Sequence, residues 1–177
     1  YDTILTEDDP YRLQVEQVRE DFPPSTSVLF TFLSEDGDVF NFPALNAMQA
    51  LTDRYSEVQS AVAVGSLLNR RLDAVDADKY DRDYLIPELA TVREEDLAQI
   101  RDIAINDEDL IKSMLSKEGD MALAVVKFRT NTQEQDEQLS SARSVVSLRD
   151  SLREQRPDVT IYIVGQVLFE LDSRNAQ

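Results

Sequence analysis

The hydropathy pattern of this chain contains four short apolar segments separated by longer amphipathic stretches. These segments are rich in β-branched or aromatic side chains and comprise residues 27–33, 62–68, 121–128 and 159–164. Apolar runs of this length and composition are typical of buried strands. Polar turns at 35–38 and 117–120 adjoin two of them, and Gly37 is free to adopt the positive φ of a tight turn.

Two longer amphipathic segments connect these strands in pairs. The first begins near Asn41, has Pro43 in its first turn, and carries one apolar stripe formed by Leu45, Met48, Leu51, Tyr55 and Val58. The second covers 132–155 and ends at Pro157, and its inward-facing residues are Leu139, Ala142, Val145, Val146, Leu148 and Leu152. Each pair of strands with its helix therefore forms a β-α-β unit.

Further helices are predicted outside these units. At the N-terminus, Tyr11, Val15, Val18 and Phe22 recur at helical spacing, which predicts a short amphipathic helix over 10–21 that ends before the prolines at 23–24.

Between the units, the insertion opens with an acidic stretch, 73–84, which we expect to be a polar surface loop. Thr91 and Glu94 then have the spacing of a capping box at the start of a helix whose apolar residues are Val92, Leu97, Ile100 and Ala104. Asn106 is predicted to cap a second helix, whose apolar face comprises Leu110, Ile111, Met114 and Leu115.

Two β-α-β units of this size most economically form one sheet. We therefore predict an α+β fold, a ferredoxin-like split β-α-β sandwich with a four-stranded antiparallel sheet, two long helices on one face and a helical insertion between the units. A parallel α/β sheet is the alternative, but four strands and two crossover helices are few for a doubly wound fold. The expected parts of this single domain are an N-terminal helix and linker (1–24), the first unit (25–71), the acidic loop and helical insertion (72–118), the second unit (119–165) and a C-terminal segment (166–177).

The acidity of the chain limits what it binds. Lys and Arg number 18 against 35 Asp and Glu, and with no histidine the formal net charge is −17 at pH 7. Such a charge repels nucleic-acid phosphate and anionic lipid headgroups, so we predict no nucleic-acid partner. The chain also has no cysteine, which excludes disulfides, a thiolate nucleophile and zinc sites built on Cys or His.

The acidic stretch is the best metal candidate in the sequence, but it does not match a calcium loop. Asp76 and Asp78 have the first spacing of an EF-hand. Tyr80 then occupies the third ligand position, Asp81 replaces the glycine of the turn, and Pro87 stands at the twelfth position. A solvated acidic loop is the simpler interpretation.

Other catalytic groupings are also missing. A serine nucleophile would lack a histidine base, and Ser113 and Ser116 stand at the wrong spacing from Lys112 and Lys117 for a Ser–Lys pair. The four glycines form no phosphate-binding loop. We therefore predict no catalytic, cofactor-binding or metal-ligating residue, no cofactor, and no enzymatic activity.

Taken in order, these segments resemble the first large extracytoplasmic loop of exporters of the resistance–nodulation–division (RND) superfamily, of the mycobacterial-membrane-protein-large (MMPL) or hopanoid-transporter kind. In the first half the similarity lies in residues 28–33, 37–41, 45–51 and 64–67. In the second half it lies in residues 96–106, 114–120, 124–126 and 159–165. The chain departs from the family where 58–62 replaces a proline–glycine before the second strand, and where 73–84 matches no family motif.

The resemblance implies an extracytoplasmic porter domain on the periplasmic face of the inner membrane, itself soluble, in a proton-driven exporter of lipids or other hydrophobic compounds. The proton-relay carboxylates of such exporters lie in membrane helices, so none is assigned here. The implied partners are the membrane helices and the second extracytoplasmic domain of the same polypeptide, a hydrophobic substrate, and further copies in a homo-oligomer. Segment 166–177 would lead toward a membrane helix.

The beginning of the chain also bears on this interpretation. Because the sequence starts at Tyr1 and has neither a signal peptide nor an apolar run of about 20 residues, we expect it to be a piece of a longer protein. A free-standing periplasmic ligand-binding or regulatory ferredoxin-like module is the alternative, and a metal-dependent hydrolase is a third hypothesis.

Overall fold

A computed structural model describes residues 27–129, 135–165 and 168. The strands are β1 (Ser27–Ser34), β2 (Ala61–Gly65), β3 (Met121–Phe128) and β4 (Val159–Val164). The α-helices are α1 (Phe42–Arg54), α2 (Ala74–Tyr80), α3 (Leu97–Ile105), α4 (Glu108–Ser113) and α5 (Gln135–Gln155). The predicted helix over 10–21, the first residues of the predicted helix over 132–155, and segment 166–177 apart from Leu168 lie outside the described residues.

The four strands form one antiparallel sheet in the order β2-β3-β1-β4. β1 lies at its centre, where Phe30 pairs with Ala124 of β3 on one side and with Ile163 of β4 on the other. β1 and β2 run in the same direction with β3 between them, and β3 and β4 run in the same direction with β1 between them. This is the ferredoxin-like order, so the predicted fold class is confirmed.

The main core lies between the sheet and the helices α1 and α5. The buried strand residues in it include Val28, Phe30, Phe32, Ala122, Ala124, Val126, Ile161 and Ile163. They pack with buried helix residues that include Ala44, Leu45, Met48, Leu51, Ala142, Val145, Leu148 and Leu152. Phe30 and Phe32 stand opposite Ala124 and Ala122, so a large side chain meets a small one at each pair.

Local hydrogen bonds explain where α1 begins. The side-chain oxygen of Asn41 accepts a hydrogen bond from the N–H of Ala44 at 2.9 Å, and Asn41 Nδ2 donates to Ser34 Oγ at 2.8 Å. Gly37 closes the preceding turn at φ 76°, as the sequence predicts. The predicted apolar stripe continues past the helix, which ends at Arg54, because Val58 is still buried after a short 3₁₀ turn.

The second strand is shorter than predicted. It ends at Gly65, and the remaining residues of the predicted segment 62–68 enter a 3₁₀ turn at Leu67–Asn69. The Ser66 hydroxyl accepts a hydrogen bond from the Leu68 N–H, and the Asn69 side chain accepts one from the Ser66 N–H at 2.7 Å. These bonds compete with the backbone hydrogen bonds between β2 and β3, and the strand therefore ends at Gly65.

The helices of the insertion begin later than the sequence predicts. The Thr91 hydroxyl donates to the Glu88 carbonyl instead of capping a helix. Asp96 accepts the N–H of Arg93 at 2.9 Å in a 3₁₀ turn, and α3 follows from Leu97. Asn106 was expected to cap α4, but it stands at the end of α3, and Asp107 accepts the N–H groups of Asp109 and Leu110.

A second apolar cluster lies on the face of the sheet opposite α1 and α5. It comprises Leu29, Met121, Leu123, Val125 and Val164, with Leu33 packed at its edge. Thr31 lies on this face as well, is fully buried, and its hydroxyl has no hydrogen-bond partner among the described residues. No helix within the described ranges combines the length and apolarity needed to cross a membrane.

Replacing the buried hydroxyl of Thr31 should stabilise the fold. Thr31→Val exchanges a hydroxyl that has no hydrogen-bond partner among the described residues for a methyl group of similar shape, so we expect a gain of about 1 kcal/mol in the free energy of unfolding. Urea denaturation would measure this gain, provided that the dependence of the free energy of unfolding on urea concentration keeps the same slope. Thr160→Val, at an exposed position of β4, is the control and should change stability little. A clear loss in Thr31→Val would contradict the expectation.

The capping residue of α4 can be identified by substitution. Asp107→Ala should cost about 1 kcal/mol, because it leaves the N–H groups of Asp109 and Leu110 without an acceptor. Asp107→Asn keeps an acceptor and should recover most of that loss. Asn106→Ala should cost less than Asp107→Ala, and the reverse order in thermal denaturation would show that Asn106 is the cap.

Candidate functional site

The acidic stretch forms a projection closed by a short ribbon of backbone hydrogen bonds. Leu72 N–H donates to Asp83 O at 2.8 Å, and Leu85 N–H donates to Arg70 O at 2.9 Å. Arg71 and Tyr84 are bridge partners between these bonds, and the Arg71 guanidinium lies 5.5 Å from the centre of the Tyr84 ring. We call residues 71–84 the acidic projection.

Part of the acidic projection is helical, so the prediction of a loop over 73–84 is wrong in this respect. Asp73 caps α2 by accepting the N–H of Asp76 at 2.8 Å, and Asp81 ends the helix in the left-handed region at φ 51°. None of the residues of α2 is buried, and Val75 is 76% exposed. An aspartate cap followed by an acidic first turn is a helix signal that the sequence contained.

Three of the aspartates of the projection line a shallow hollow of about 350 Å³. Its lining consists of Ala77, Asp78, Asp81, Arg82 and Asp83. Arg82 supplies the positive charge among three carboxylates, and its guanidinium lies 5.9 Å from the Tyr80 ring. Such a polar, open lining differs from the apolar, enclosed pockets that hold hydrophobic ligands.

The described residues contain no group of three or more carboxylates that could hold a metal ion. Of the five aspartates Asp73, Asp76, Asp78, Asp81 and Asp83, two serve as the start and the end of α2. The Asp73 side chain and the Asp81 backbone are therefore used by the two ends of α2.

Among the residues that the structure describes, the carboxyl groups of Asp36, Glu57 and Asp96 have pKa values that their surroundings lower. The Ser34 hydroxyl bonds to Asp36 and lowers the pKa of that carboxyl. The Arg54 guanidinium bonds to Glu57 and lowers its pKa, and the backbone N–H of Arg93 does the same for the pKa of Asp96. A carboxyl group that acts as a general acid near neutral pH needs the opposite shift. These three groups therefore serve turns and helix starts.

Arg101 of α3 attaches the insertion to the end of the sheet. Its Nη2 donates to the Glu118 carbonyl at 2.9 Å, and its Nε lies 3.7 Å from Asp38 Oδ1 in the turn after β1. Gly119 lies against this arginine at φ 70°, and its carbonyl accepts the Val39 N–H at 2.9 Å. No sequence signal indicated this role, because the partners of Arg101 lie far from it along the chain.

The insertion shares the main core with the sheet. Leu115 pairs with Ala122 of β3, and both residues are fully buried. On the outer side, Arg70 and Asp107 form an ion pair at 3.3 Å. The insertion residues buried in the same cluster as the strands include Leu85, Ile86, Leu89, Ile100, Ala104, Leu110 and Leu115. The insertion therefore docks on the sheet of its own chain.

The prediction that the chain has no catalytic, cofactor-binding or metal-ligating residue stays a prediction. The described residues form a main core shared by the sheet and the insertion, a polar projection at the surface, and carboxylates engaged in caps, turns and ion pairs. No curated protein matches the sequence significantly. The model of the MMPL family, however, matches residues 3–177, which include both β-α-β units and the insertion. Because this match covers nearly the whole sequence, the chain belongs to the MMPL family, as its resemblance to RND exporters implied.

Proposed function

We propose that this chain is an extracytoplasmic porter domain of a proton-driven RND-type exporter of lipids or other hydrophobic compounds. In this proposal it lies on the periplasmic face of the inner membrane and forms part of the wall of the substrate path. Its partners are the membrane helices and second extracytoplasmic domain of the same polypeptide, within a homo-oligomer. It has no catalytic role of its own.

The observation that carries the proposal is the family match over residues 3–177. Membership of the MMPL family supports an RND-type exporter-related domain and a larger membrane transporter as the parent protein. Beyond this, we propose that the exporter is driven by protons, carries lipids, places this domain in the periplasm and forms an oligomer.

Two properties of the chain support a non-catalytic role. The sequence has neither histidine nor cysteine, so imidazole bases, thiolate nucleophiles and the metal ligands that these two residues supply are missing. Among the described residues, Asp36, Glu57 and Asp96 have carboxyl pKa values that are lowered by hydrogen bonds in turns and caps. Both properties fit a domain that shapes a path and leaves the chemistry of proton transfer to other parts of the parent protein.

The shared core supports motion as one body. Leu115 of the insertion and Ala122 of β3 are both fully buried, and Arg101 joins α3 to the turns at Asp38 and Glu118. Packed interfaces of this kind do not deform continuously, so a movement of the membrane helices would rotate the sheet and the insertion together.

The sequence of the parent gene provides the first test. We expect an apolar stretch of about 20 residues shortly before Tyr1 and another soon after Gln177, since each must cross the bilayer as a helix. Hydrophilic sequence on both sides would exclude the exporter and favour the free-standing ligand-binding module.

The side of the membrane can be measured with one cysteine. Val75→Cys places a thiol at a 76% exposed position of a naturally cysteine-free chain. In the parent protein, with its other cysteines replaced, a membrane-impermeant maleimide should label this thiol in intact spheroplasts as fully as after lysis. Labelling that requires lysis would place the domain in the cytoplasm and contradict the proposal.

A disulfide can test whether the insertion and the sheet move together. Leu115 and Ala122 are antiparallel partners flanked by the hydrogen bonds Ser116 N–H to Met121 O and Leu123 N–H to Met114 O, so their Cβ atoms lie close enough for a bridge. In the parent exporter carrying Leu115→Cys and Ala122→Cys, the oxidised and reduced forms should export substrate at similar rates. The reduced form controls for the substitutions themselves, and a large loss on oxidation alone would show that the insertion moves independently.

A further inference from the structure

The strand β4 lies at one edge of the sheet and has a paired neighbour on one side only among the described strands. Its residues pair with consecutive residues of β1, and they include no charged residue, proline or glycine. A regular edge strand of this composition presents N–H and C=O groups to which a strand of another chain can add. Natural sheets block such an edge with a charged side chain, a proline, a bulge or a covering segment.

The register of the sheet shows which backbone groups of β4 point toward this edge. Leu123 N–H donates to Met114 O, on the side of β3 away from β1. Because backbone groups alternate between the two sides of an antiparallel strand, the neighbouring Ala122 bonds to its β1 partner Phe32. Phe32 therefore directs its N–H and C=O toward β3, and its partner on β4, Ile161, directs its own groups away from β1.

Arg153 of α5 reaches around this edge. Its Nε donates to the outward carbonyl of Ile161 at 2.7 Å, and its guanidinium lies 5.8 Å from the centre of the Tyr162 ring. Ile161 and Ile163 point into the main core on the side of α5, so Tyr162 between them points to the other face of the sheet. A guanidinium carries donors only, so it satisfies the carbonyl and places a positive charge where an added strand would have to lie.

The opposite edge of the sheet is blocked in a different way. β2 has a register shift between Ala61 and Ala63, and the preceding Ser60 adopts φ 67°. The Val64 carbonyl accepts a hydrogen bond from Asn69 Nδ2 at 2.8 Å. A bulge and a local side-chain bond therefore interrupt the edge at β2, whereas β4 is regular and its outward carbonyl is bonded to Arg153.

We propose that Arg153 blocks the outer edge of β4 and prevents it from pairing with β4 of a second copy of this chain. In an antiparallel pair of two β4 strands, the outward groups of Ile161 and Ile163 would bond to the outward groups of the copy. No charged residue within 159–164 would oppose this contact. The inference is independent of the exporter proposal, because its contacts lie within one domain. If both are correct, the exporter oligomer forms through other surfaces.

A methionine substitution tests the role of the arginine and keeps much of its packing. Arg153→Met retains a long apolar side chain without the donor, and Arg143→Met removes the same charge at an exposed position of α5 as the control. The 177-residue chain carries a charge of −17, so the samples need about 0.5 M salt to screen the repulsion between copies. Size-exclusion chromatography with light scattering should show dimers or larger species for Arg153→Met and monomers for Arg143→Met and the unsubstituted chain. A monomeric Arg153→Met would overturn the proposal.

A second substitution locates the contact. Thr160→Lys in the Arg153→Met chain should restore the monomer, because Thr160 is exposed on β4 and a lysine there repels the lysine of a second β4. Val62→Lys adds the same charge on β2, where Val62 is 48% exposed, and should leave the association unchanged. Equal effects of the two lysines would overturn the proposal. So would an Arg153→Met chain that loses stability but does not associate, since the arginine would then only attach α5 to β4.

Discussion

The structure depends on the position of β1 at the centre of an antiparallel sheet that is buried on both faces. Phe30 and Phe32 point toward α1 and α5 and stand opposite the small residues Ala124 and Ala122 of β3. On the other face, Leu29 is equally removed from water. The sequence of a strand with two paired neighbours and two buried faces is a nearly continuous apolar run, which is the pattern of residues 27–33. All other elements are arranged around this strand.

The insertion is an extension of this core. It enters the sheet through the pairing of Leu115 with Ala122, and Arg101 holds α3 to the turns that surround Asp38 and Gly119. Gly119 adopts a positive φ and lies close to Arg101, so the loop approaches the arginine without strain. A displacement at one end of such a shared core would be transmitted to the other end, as the proposed function requires.

The strong negative charge is distributed over positions with local structural roles. Asp73, Asp96 and Asp107 accept backbone N–H bonds at the starts of helical segments, and Asp81 ends α2. Carboxylates at helix starts interact favourably with the positive end of the helix dipole, whereas Asp81 contributes to the end of α2 through its left-handed backbone. Acidity in this chain therefore accompanies its many helix starts and its surface, and the family match is what connects the domain to export.

The sequence by itself determined the strands β1, β3 and β4 and the two long helices, and it favoured a ferredoxin-like sheet over a parallel one, because apolar runs and stripes must be buried and few topologies bury them. The structure decided the strand order β2-β3-β1-β4. It also determined that His and Cys chemistry is absent. Only the tertiary structure decided that β2 stops at Gly65, that Asp107 and not Asn106 caps α4, and that Arg101 reaches Asp38. Competing local hydrogen bonds decide where β2 ends and which residue caps α4. Contacts between residues distant along the chain decide where Arg101 reaches. Neither can be derived from hydropathy alone.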